Sequence, residues 1–412
     1  MAIDIKQELI SAGTKYKKEL LAMPVAVLAK ILEHFMLMTG IQGKEMGGIL
    51  TTDAQLRPYR TDKGASDNTK IEPYEWETFL GDVVKEFDPN KLLGTLYTER
   101  TSTKPDKTKI ARLVALEMAK KVGEALYRSL FVAVRNAAGE TTNDLFNGYS
   151  TQIKAAIVSE VVSALNGNYL NKSGVQMTVD NCGDILKQLW RGSNELLKDL
   201  DTEMKIPTAV LEMYEDWYQI EHGVAPFNKE FSQKTLVGTD GRCTLVPLGN
   251  MGGQPFIFLT VKDNMKIGVD QESDSEDVEI RRVDNPKVVQ FFMLAYFGVG
   301  FETLDARYFK VMKFTTDPIV PVANFANSAK TAVTATFTWT AATEPTSLKI
   351  QKSADGGATW ADAATAAAIG VGAVTAQVTG LVAETEYDFR LVVVDGQNAG
   401  NSNVVNLTTS AA

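Results

Sequence analysis

Apolar residues recur three and four positions apart in several stretches of the chain, and this spacing places them on one face of an α-helix. The longest stretch covers residues 107–134, and its apolar stripe consists of Ala111, Ala115, Ala119, Val122, Leu126 and Ala133. Pro105 precedes it and Gly139 follows it, as is usual at helix boundaries, and the predicted helix is about 40 Å long. Shorter helices are predicted over residues 15–21, 25–38, 185–204 and 208–221.

Elsewhere apolar and polar residues alternate, which is typical of β-strands. Strands are predicted over residues 242–248 and 254–261, and two long strands joined around residues 302–305 are predicted over 288–314. Between residues 49 and 93 the chain is polar and contains Pro58, Pro73 and Pro89. That pattern predicts a long two-stranded excursion, and long loops in a compact protein are usually functional.

The character of the chain changes near Asp317, since all 13 methionines precede that residue. From there on, short alternating runs separated by turn residues predict a two-sheet β-sandwich. Residues 317–329 contain Pro318 and Pro321 and are predicted to be a short linker.

The predicted sandwich resembles a fibronectin type III or Ig-like domain. The resemblance rests on Trp339, Leu381, the run Thr385-x-Tyr387-x-Phe389-Arg390, and Gly400-x-Ser402. It implies a tryptophan in the core and a tyrosine at a corner of the sandwich. Residues 353–360, SADGGATW, also match the Asp-box pattern of sialidase-type propellers. Because a propeller needs the box in every blade and it occurs once here, we predict only a hairpin turn.

Composition limits the class of protein. The chain has 412 residues, of which 44% are hydrophobic and 23% charged, as in soluble globular proteins. Its net charge of −9 argues against a broad basic face that grips nucleic acid, although it allows a protein that only encloses nucleic acid. No secretory signal is visible, and the most apolar run, residues 291–301, is too short to span a membrane. We expect a cytosolic protein that leaves the cell on lysis.

Few residues suggest chemistry. Cys182 and Cys243 lie far apart without metal-ligand neighbours and are expected to be small buried residues. His34, in a predicted helix, and His222, at a predicted helix end, are interpreted as structural. The acidic run over residues 270–279 raises a calcium hypothesis, but it lacks the glycine that an EF-hand loop needs at position six, so a solvated loop is expected.

Nucleotide-binding motifs are not indicated either. Three glycines occur within residues 249–253 and two within 298–300, but neither run lies between a strand and a helix. We therefore predict no catalytic, cofactor-binding or metal-binding residues, and we do not expect an enzyme.

The order of the predicted elements resembles the major capsid proteins of tailed phages, which have the HK-ninety-seven fold. The order comprises a helical start, a long two-stranded excursion, one very long helix, a mixed body and two closing strands; residues 261–270 and the strands that follow fit the same scheme. The resemblance implies an α+β phage capsid fold followed by an all-β Ig-like sandwich. Its parts would be an N-arm over 1–46, an E-loop over 47–100, the spine helix with P and A domains over 101–316, and the sandwich over 317–412.

This resemblance also implies a function. Such proteins assemble as hexamers and pentamers into an icosahedral head that encloses double-stranded DNA. The implied partners are further copies of the chain, the packaged DNA in weak and non-specific contact, the portal and auxiliary capsid proteins, with no membrane and no cofactor. The implied location is the virion, after assembly in the host bacterial cytoplasm. Some members join subunits by a Lys–Asn isopeptide bond, for which Lys63 or Lys70 would supply the lysine, while no asparagine partner is indicated.

The sandwich is expected to project outward and aid surface attachment, so deletion of residues 318–412 is expected to leave heads that form normally. Two alternatives remain open. One is an encapsulin-like nanocompartment shell with the same fold, which would hold cargo enzymes instead of a genome. The other is a carbohydrate-active enzyme with a fibronectin accessory module, which predicts a secretion signal.

Overall fold

A computed structural model describes residues 33–51, 70–87, 107–222, 235–270, 278–282 and 288–412. The fold is α+β, with helices in the first three quarters of the chain and a strand-rich end. The helices are α1 (Lys107–Val132), α2 (Tyr149–Val158), α3 (Cys182–Arg191), α4 (Glu195–Lys198) and α5 (Thr208–His222). Helix α1 has 26 residues and is therefore about 39 Å long, which confirms the long helix predicted from the apolar stripe.

Twelve of the strands precede residue 317. They are β1 (Met36–Thr39), β2 (Lys44–Thr51), β3 (Lys70–Glu77), β4 (Phe79–Phe87), β5 (Tyr169–Gln176), β6 (Thr202–Pro207), β7 (Cys243–Leu248), β8 (Phe256–Val261), β9 (Met265–Val269), β10 (Val278–Arg282), β11 (Val289–Phe301) and β12 (Phe309–Thr315). The strands predicted over 242–248 and 254–261 are confirmed as β7 and β8. Strands β2 and β3 pair as an antiparallel two-stranded sheet, as the predicted excursion requires. Its predicted extent of 49–93 is wrong, because the pairing begins at Lys44 and residues 79–87 form β4, which pairs with β11 in the first sheet.

Strand β11 organises the first sheet. It pairs antiparallel with β4 over nine residue pairs, with β10 over five and with β9 over five. Strand β1 lies parallel to β9 at the edge of this sheet. The N-terminal segment therefore enters the described fold at a sheet edge.

The second sheet has the order β5-β12-β8-β6-β7. Strand β12 lies between β5, to which it is parallel, and β8, to which it is antiparallel. The two long strands predicted over 288–314 are therefore real, but they belong to different sheets and do not pair as closing neighbours. The segment between them, which includes Asp305, carries the chain from one sheet to the other.

Two apolar cores fill this part of the molecule. One lies where α1 and α2 meet both sheets, and Phe131, Tyr149, Phe258 and Phe301 are fully or almost fully buried in it. The second lies under α3 and α5 and contains Leu186 and Trp217 among others. The two predicted buried cysteines are confirmed there, since Cys182 and Cys243 have no exposed surface.

The C-terminal part is a sandwich of two sheets. Its strands are β13 (Ala326–Lys330), β14 (Ala335–Thr338), β15 (Ser347–Ser353), β16 (Ala361–Asp362), β17 (Thr375–Val378), β18 (Glu386–Val394), β19 (Gly400–Asn401) and β20 (Val405–Thr408). One sheet has the order β13-β14-β17, and the other has β16-β15-β18-β19 with β20 also on β18. Trp339 is buried as expected, and the Tyr387 hydroxyl accepts a hydrogen bond from the Val382 N–H at 3.4 Å, as a corner tyrosine does.

Four further predictions about local structure are wrong. The helix predicted over 25–38 does not extend to its end, because residues 36–39 form β1, and His34 lies in a turn instead of a helix. The helix predicted over 185–204 ends at Arg191, and its last residues belong to α4 and β6. Helix α2 and strand β5 were not predicted. The segment predicted as a linker is also part of the sandwich core, since Phe325 stacks on Phe337 with 4.8 Å between ring centroids.

Candidate assembly surface

The β2–β3 hairpin stands apart from the two large sheets. Its eight residue pairs run from Lys44↔Glu77 to Thr51↔Lys70, a length of roughly 25 Å at about 3.3 Å per residue. Among the described strands, β2 and β3 pair only with each other. The hairpin is attached to the body from its base at Lys44 and Glu77 up to the pair Gly47↔Tyr74, where the Tyr74 ring lies 6.3 Å from that of Phe301.

Trp76 holds this base. Its side chain is 4% exposed and lies against the backbone of Gly268 on β9 and Gly300 on β11. A Cβ on Gly268 would lie 2.6 Å from Trp76 Cζ3, and one on Gly300 would overlap the Trp76 ring. Only glycine at these two strand positions leaves room for an indole on the sheet surface. We call Trp76 with these two glycines the tryptophan cradle.

A hydrogen-bonded corner fixes the chain where β3 turns into β4. The Thr78 N–H donates to the Gly43 carbonyl oxygen at 2.8 Å, and the Gly43 N–H donates to Thr78 Oγ1 at 2.9 Å. The Thr78 hydroxyl also donates to the Ile41 carbonyl oxygen at 3.0 Å. Beneath this corner lies Gly298, where a Cβ would come within 2.9 Å of Thr78 Cα. The base of the hairpin is thus fixed by backbone contact and apolar packing.

A polar cleft of about 220 Å³ borders the same base. Lys44, Glu75 and Glu77 line it together with Tyr74 and Gln152, and the Tyr74 hydroxyl donates to Gln152 Oε1 at 3.1 Å. Burial raises the pKa of Tyr74 well above its usual value, so this hydroxyl stays protonated and remains a donor.

Strand β4 presents apolar residues to solvent. Leu80 is 49% exposed and Val84 is 43% exposed, and they lie opposite Tyr296 and Phe292 of β11. Strand β4 pairs with β11 along one edge, and no other described strand covers its second edge. An open strand edge with exposed apolar side chains is a surface at which another chain can associate.

Helix α1 has a buried side and a charged side. Ala115, Ala119, Leu126 and Ala133 of the predicted stripe are buried, Val122 is partly buried, and the side chain of Ala111 lies outside the described residues. On the exposed side Lys121 Nζ lies 2.7 Å from Glu124 Oε2, and Lys120 Nζ lies 3.9 Å from Glu117 Oε2. This balanced face adds little net charge to the surface.

A buried charged group joins the N-terminal segment to β6. His34 Nδ1 lies 2.9 Å from Glu203 Oε1, and Lys205 Nζ lies 2.9 Å from Glu203 Oε2. The Lys205 side chain has no exposed surface, and its Nζ lies 5.2 Å from the centroid of the Phe35 ring. Burial lowers the pKa of Lys205. Burial opposes ionisation of Glu203, but the charge of Lys205 and the hydrogen bonds from His34 and Lys205 outweigh it and lower the pKa of Glu203.

The candidate chemical residues from the sequence are not brought together. Lys63 lies outside the described residues, and Lys70 begins β3 opposite Thr51 at the outer end of the described hairpin. Most of the acidic run over 270–279 also lies outside them, and His222 is the last residue of α5. Burial raises the pKa of Cys182 and of Cys243 to about 12, so both thiols stay protonated and unreactive.

Metal sites and membrane-spanning helices are not found in the described part of the chain. There, no group of three or more His, Cys, Asp or Glu side chains is placed to hold a metal ion. In the same residues, no helix is both long and apolar enough to cross a membrane.

The Asp box forms a turn, as predicted. Asp355 accepts hydrogen bonds from the Thr359 N–H at 2.9 Å and from the hydroxyls of Ser353 and Thr359. Gly356 and Gly357 have positive φ angles of 71° and 88°. The box therefore closes the turn between β15 and β16, which pair antiparallel.

The tryptophan cradle was not found from the sequence. The signal was present in the run Gly298-Val-Gly300 within an apolar strand, which was considered only as a nucleotide-binding motif. Glycine inside a strand often marks a place where another backbone or a large side chain approaches closely. What the sequence does not show is that the approaching residue is Trp76, more than 200 positions away.

No protein-family model matches this chain, and no curated protein matches it. Solved structures do match. The capsid of cyanophage A-1(L) is 10% identical over 72% of this chain and 94% of its own, with a TM-score of 0.46. The procapsid of satellite phage P4, which includes a size determination protein, is 11% identical over 71% and 92%, with a TM-score of 0.45.

A human fibronectin type III domain is 12% identical over 23% of this chain and 76% of its own, with a TM-score of 0.20. All three TM-scores lie below 0.5. The function proposed below is therefore argued from the strand pairing and the packing at the hairpin base. The two phage structures are capsid structures.

Proposed function

We propose that this chain is the major capsid protein of a tailed bacteriophage, a structural protein that assembles as hexamers and pentamers into an icosahedral head around double-stranded DNA. The observation that carries the proposal is the β2–β3 hairpin. It is fixed at its base by the tryptophan cradle, and no other described strand pairs with it. An extension with a rigid base and no partner of its own fits a subunit that is completed by its neighbours.

The rest of the surface supports association. Leu80 and Val84 along β4 and Met46 of β2 are exposed apolar residues, with Met46 66% exposed. Such residues close to an open strand edge favour contact with another protein over contact with water. The identical subunit is the partner that is always available at high concentration during assembly.

We assign the parts of the chain by the order of their elements. Residues 1–46 form the N-arm, which contains β1 and the start of β2. Residues 47–100 form the E-loop, whose described parts are the rest of β2, β3, and β4, the strand that returns to the first sheet. Residues 101–316 contain the spine helix α1 with the P and A domains, and residues 317–412 form the sandwich. The portal, auxiliary capsid proteins and DNA are the further partners in this proposal, and the virion is the location after assembly in the host bacterial cytoplasm.

Electron microscopy of purified protein tests this function. We expect closed shells of uniform size, and double-stranded DNA within shells taken from lysates of infected cells. The same shells with protein cargo and without a genome would instead show a nanocompartment. A monodisperse single-chain species at every concentration would refute shell formation altogether.

A matched pair of glycine variants tests the role of the hairpin base. In Gly298→Ala the new Cβ meets the backbone of Glu77 and Thr78, so the base must shift and we expect shells to be lost or malformed. In Gly252→Ala the nearest atom is 3.7 Å away, which is ordinary contact, so shells should form normally. Circular dichroism must show folded subunits for both. Normal shells from folded Gly298→Ala would contradict the assigned role of the hairpin.

A further inference from the structure

Strand β5 has an irregular outer edge where the sandwich meets the body. Asn171 pairs with Lys313 and Gln176 pairs with Thr315 of β12, so residues 172–175 lie opposite the single residue Phe314. The Asn171 side chain holds this bulge, because its Oδ1 accepts from the Ser173 N–H at 3.0 Å and from the Ser173 hydroxyl at 2.8 Å. We call residues 171–174 the β5 bulge.

The β5 bulge receives two turns of the sandwich. The Gly396 N–H donates to Ser173 Oγ at 3.2 Å, and Asn171 Nδ2 donates to Asp395 Oδ2 at 3.0 Å and to Thr346 Oγ1 at 3.1 Å. Ser173 is 4% exposed and its bond with Gly396 is buried, whereas the Asn171 bond to Asp395 is partly buried and the one to Thr346 is exposed. Asp395 and Gly396 both have positive φ angles, of 61° and 80°. The turn that carries them therefore has the tight left-handed shape that fits the bulge.

Gly174 allows the close approach. A Cβ on this residue would lie 3.0 Å from Asp395 Cα and 3.3 Å from Ala399 Cβ, which is closer than ordinary van der Waals contact. The φ of Gly174 is not in the left-handed region. A larger residue at this position would thus fit the isolated strand and clash only with the docked sandwich.

Charges and the connecting segment add to the contact. Lys313 Nζ lies 2.7 Å from Glu344 Oε2 of the sandwich. Burial, together with the carboxylates of Asp395 and Glu344, raises the pKa of Tyr169 to about 12. The Val320 N–H donates to the Gln397 carbonyl oxygen at 2.9 Å. The segment that was predicted to be a linker is therefore bonded to the same turn that docks on the bulge.

We propose that the C-terminal sandwich is locked to the body in one orientation by the β5 bulge, and that it serves as a cover for this sheet edge. An unprotected edge strand invites pairing with another chain. The docked turns bind the side chains of Asn171 and Ser173 and lie against Gly174, so a second strand approaching β5 here would meet the sandwich. The sandwich is in this view a part of the folded subunit, in contrast to a module displayed on a flexible linker.

Locking also sets which end of the sandwich points away. Strand β15 begins at Ser347, next to the docked Thr346, and ends at Ser353, where the Asp-box turn starts. Seven residues of strand place that turn roughly 20 Å from the docking site. The Asp-box turn is therefore at the pole that faces away from the body.

Limited proteolysis tests whether the sandwich is fixed on the β5 bulge. A protease of broad specificity is used, and cleavage is followed within residues 316–321, where the chain is largely exposed. We expect the wild-type chain to resist cleavage there. Gly174→Leu should raise the cleavage rate by about tenfold or more, since undocking frees the segment. Asn171→Ala, which removes two of the hydrogen bonds that span the contact, should raise it by a smaller factor. Gly370→Leu is the matched control, because nothing lies within 4 Å of a Cβ at that position.

Cleavage within residues 316–321 can be measured on single subunits and on particles, because it does not depend on shell formation. The docking proposal can therefore be refuted while the proposed capsid function stands. Circular dichroism and a melting curve verify that Gly174→Leu retains both folded parts. If Gly174→Leu unfolds, the comparison of cleavage rates between Asn171→Ala and the wild type tests the proposal. Rapid cleavage of the wild type at residues 316–321, or equal rates in wild type and both interface variants, would overturn the proposal.

Discussion

Trp76 is the residue whose removal most directly tests how the β2–β3 hairpin is held. In Trp76→Ala the indole that covers Gly268 and Gly300 is lost. Truncation of a buried aromatic residue to alanine costs about 3–5 kcal/mol. The floor of the cradle is glycine, so no side chain is available to move into the space. We therefore expect Trp76→Ala to lose stability near the upper end of that range, and we expect the loss to affect mainly the hairpin.

A second substitution separates packing from polarity. The buried Trp76 Nε1 has no hydrogen-bond partner among the described residues, and an unsatisfied buried donor costs about 1–3 kcal/mol. Trp76→Phe removes that donor but also gives up part of the buried ring. Because these two effects have opposite signs and similar size, we expect Trp76→Phe to change the stability of the hairpin by no more than about 1 kcal/mol.

Hydrogen exchange read by mass spectrometry measures both effects locally. In Trp76→Ala the amides of β2 and β3 should exchange at least about a hundredfold faster, since each 1.4 kcal/mol is a factor of ten. In Trp76→Phe they should stay within about tenfold of the wild type. Peptides from the sandwich serve as an internal reference that must not change. If the hairpin amides of Trp76→Ala exchange at the wild-type rate, the tryptophan cradle does not anchor the hairpin.

Two further predictions concern charged groups. The pKa of Glu203 is lowered in the folded chain from 4.5, so its contribution to stability is present above that value and is lost as the pH falls through the folded pKa. Denaturant titrations from pH 7 to pH 3 should show the wild type losing its advantage over Glu203→Gln below about pH 4.5, and a constant difference would contradict this. Hydrogen bonds from Ser353 and Thr359 lower the pKa of Asp355 to about 2. Protection of the amides at residues 354–362, measured relative to the intrinsic exchange rate at each pH, should therefore be unchanged in wild type down to pH 3 but lower in Asp355→Ala, while shells still form. Equal protection in the two proteins would exclude a role for Asp355 in the turn.

Local periodicity explains what the sequence predicted well. The stripe that includes Ala115, Ala119 and Leu126 needs only the helical repeat to be recognised, and these residues are buried in α1. Strand β18 alternates strictly between buried and less buried residues. The Asp-box turn is set by residues within eight positions of each other. In these cases the residues that decide the structure are neighbours in the chain.

Tertiary contacts explain the errors. Met36 to Met38 were predicted to be helical, but they lie in β1 because β9 offers them a parallel sheet edge. Met204 was placed in a helix for its apolar spacing, but β6 lies between β7 and β8 and takes it into the second sheet. Strands β11 and β12 follow each other in sequence, yet each pairs with strands from elsewhere. No spacing within these segments carries that information.

Close backbone approach at glycine links the two extensions of this molecule. Gly298 and Gly300 seat the hairpin, and Gly174 seats the sandwich. These glycine contacts depend on shape and are little affected by salt. The net charge of −9 makes copies of the chain repel one another over a distance that salt controls. Changes of ionic strength should therefore act on the contacts between subunits and leave the glycine contacts within each subunit intact. Association then depends on the exposed apolar residues beside β4, where burial can outweigh that repulsion.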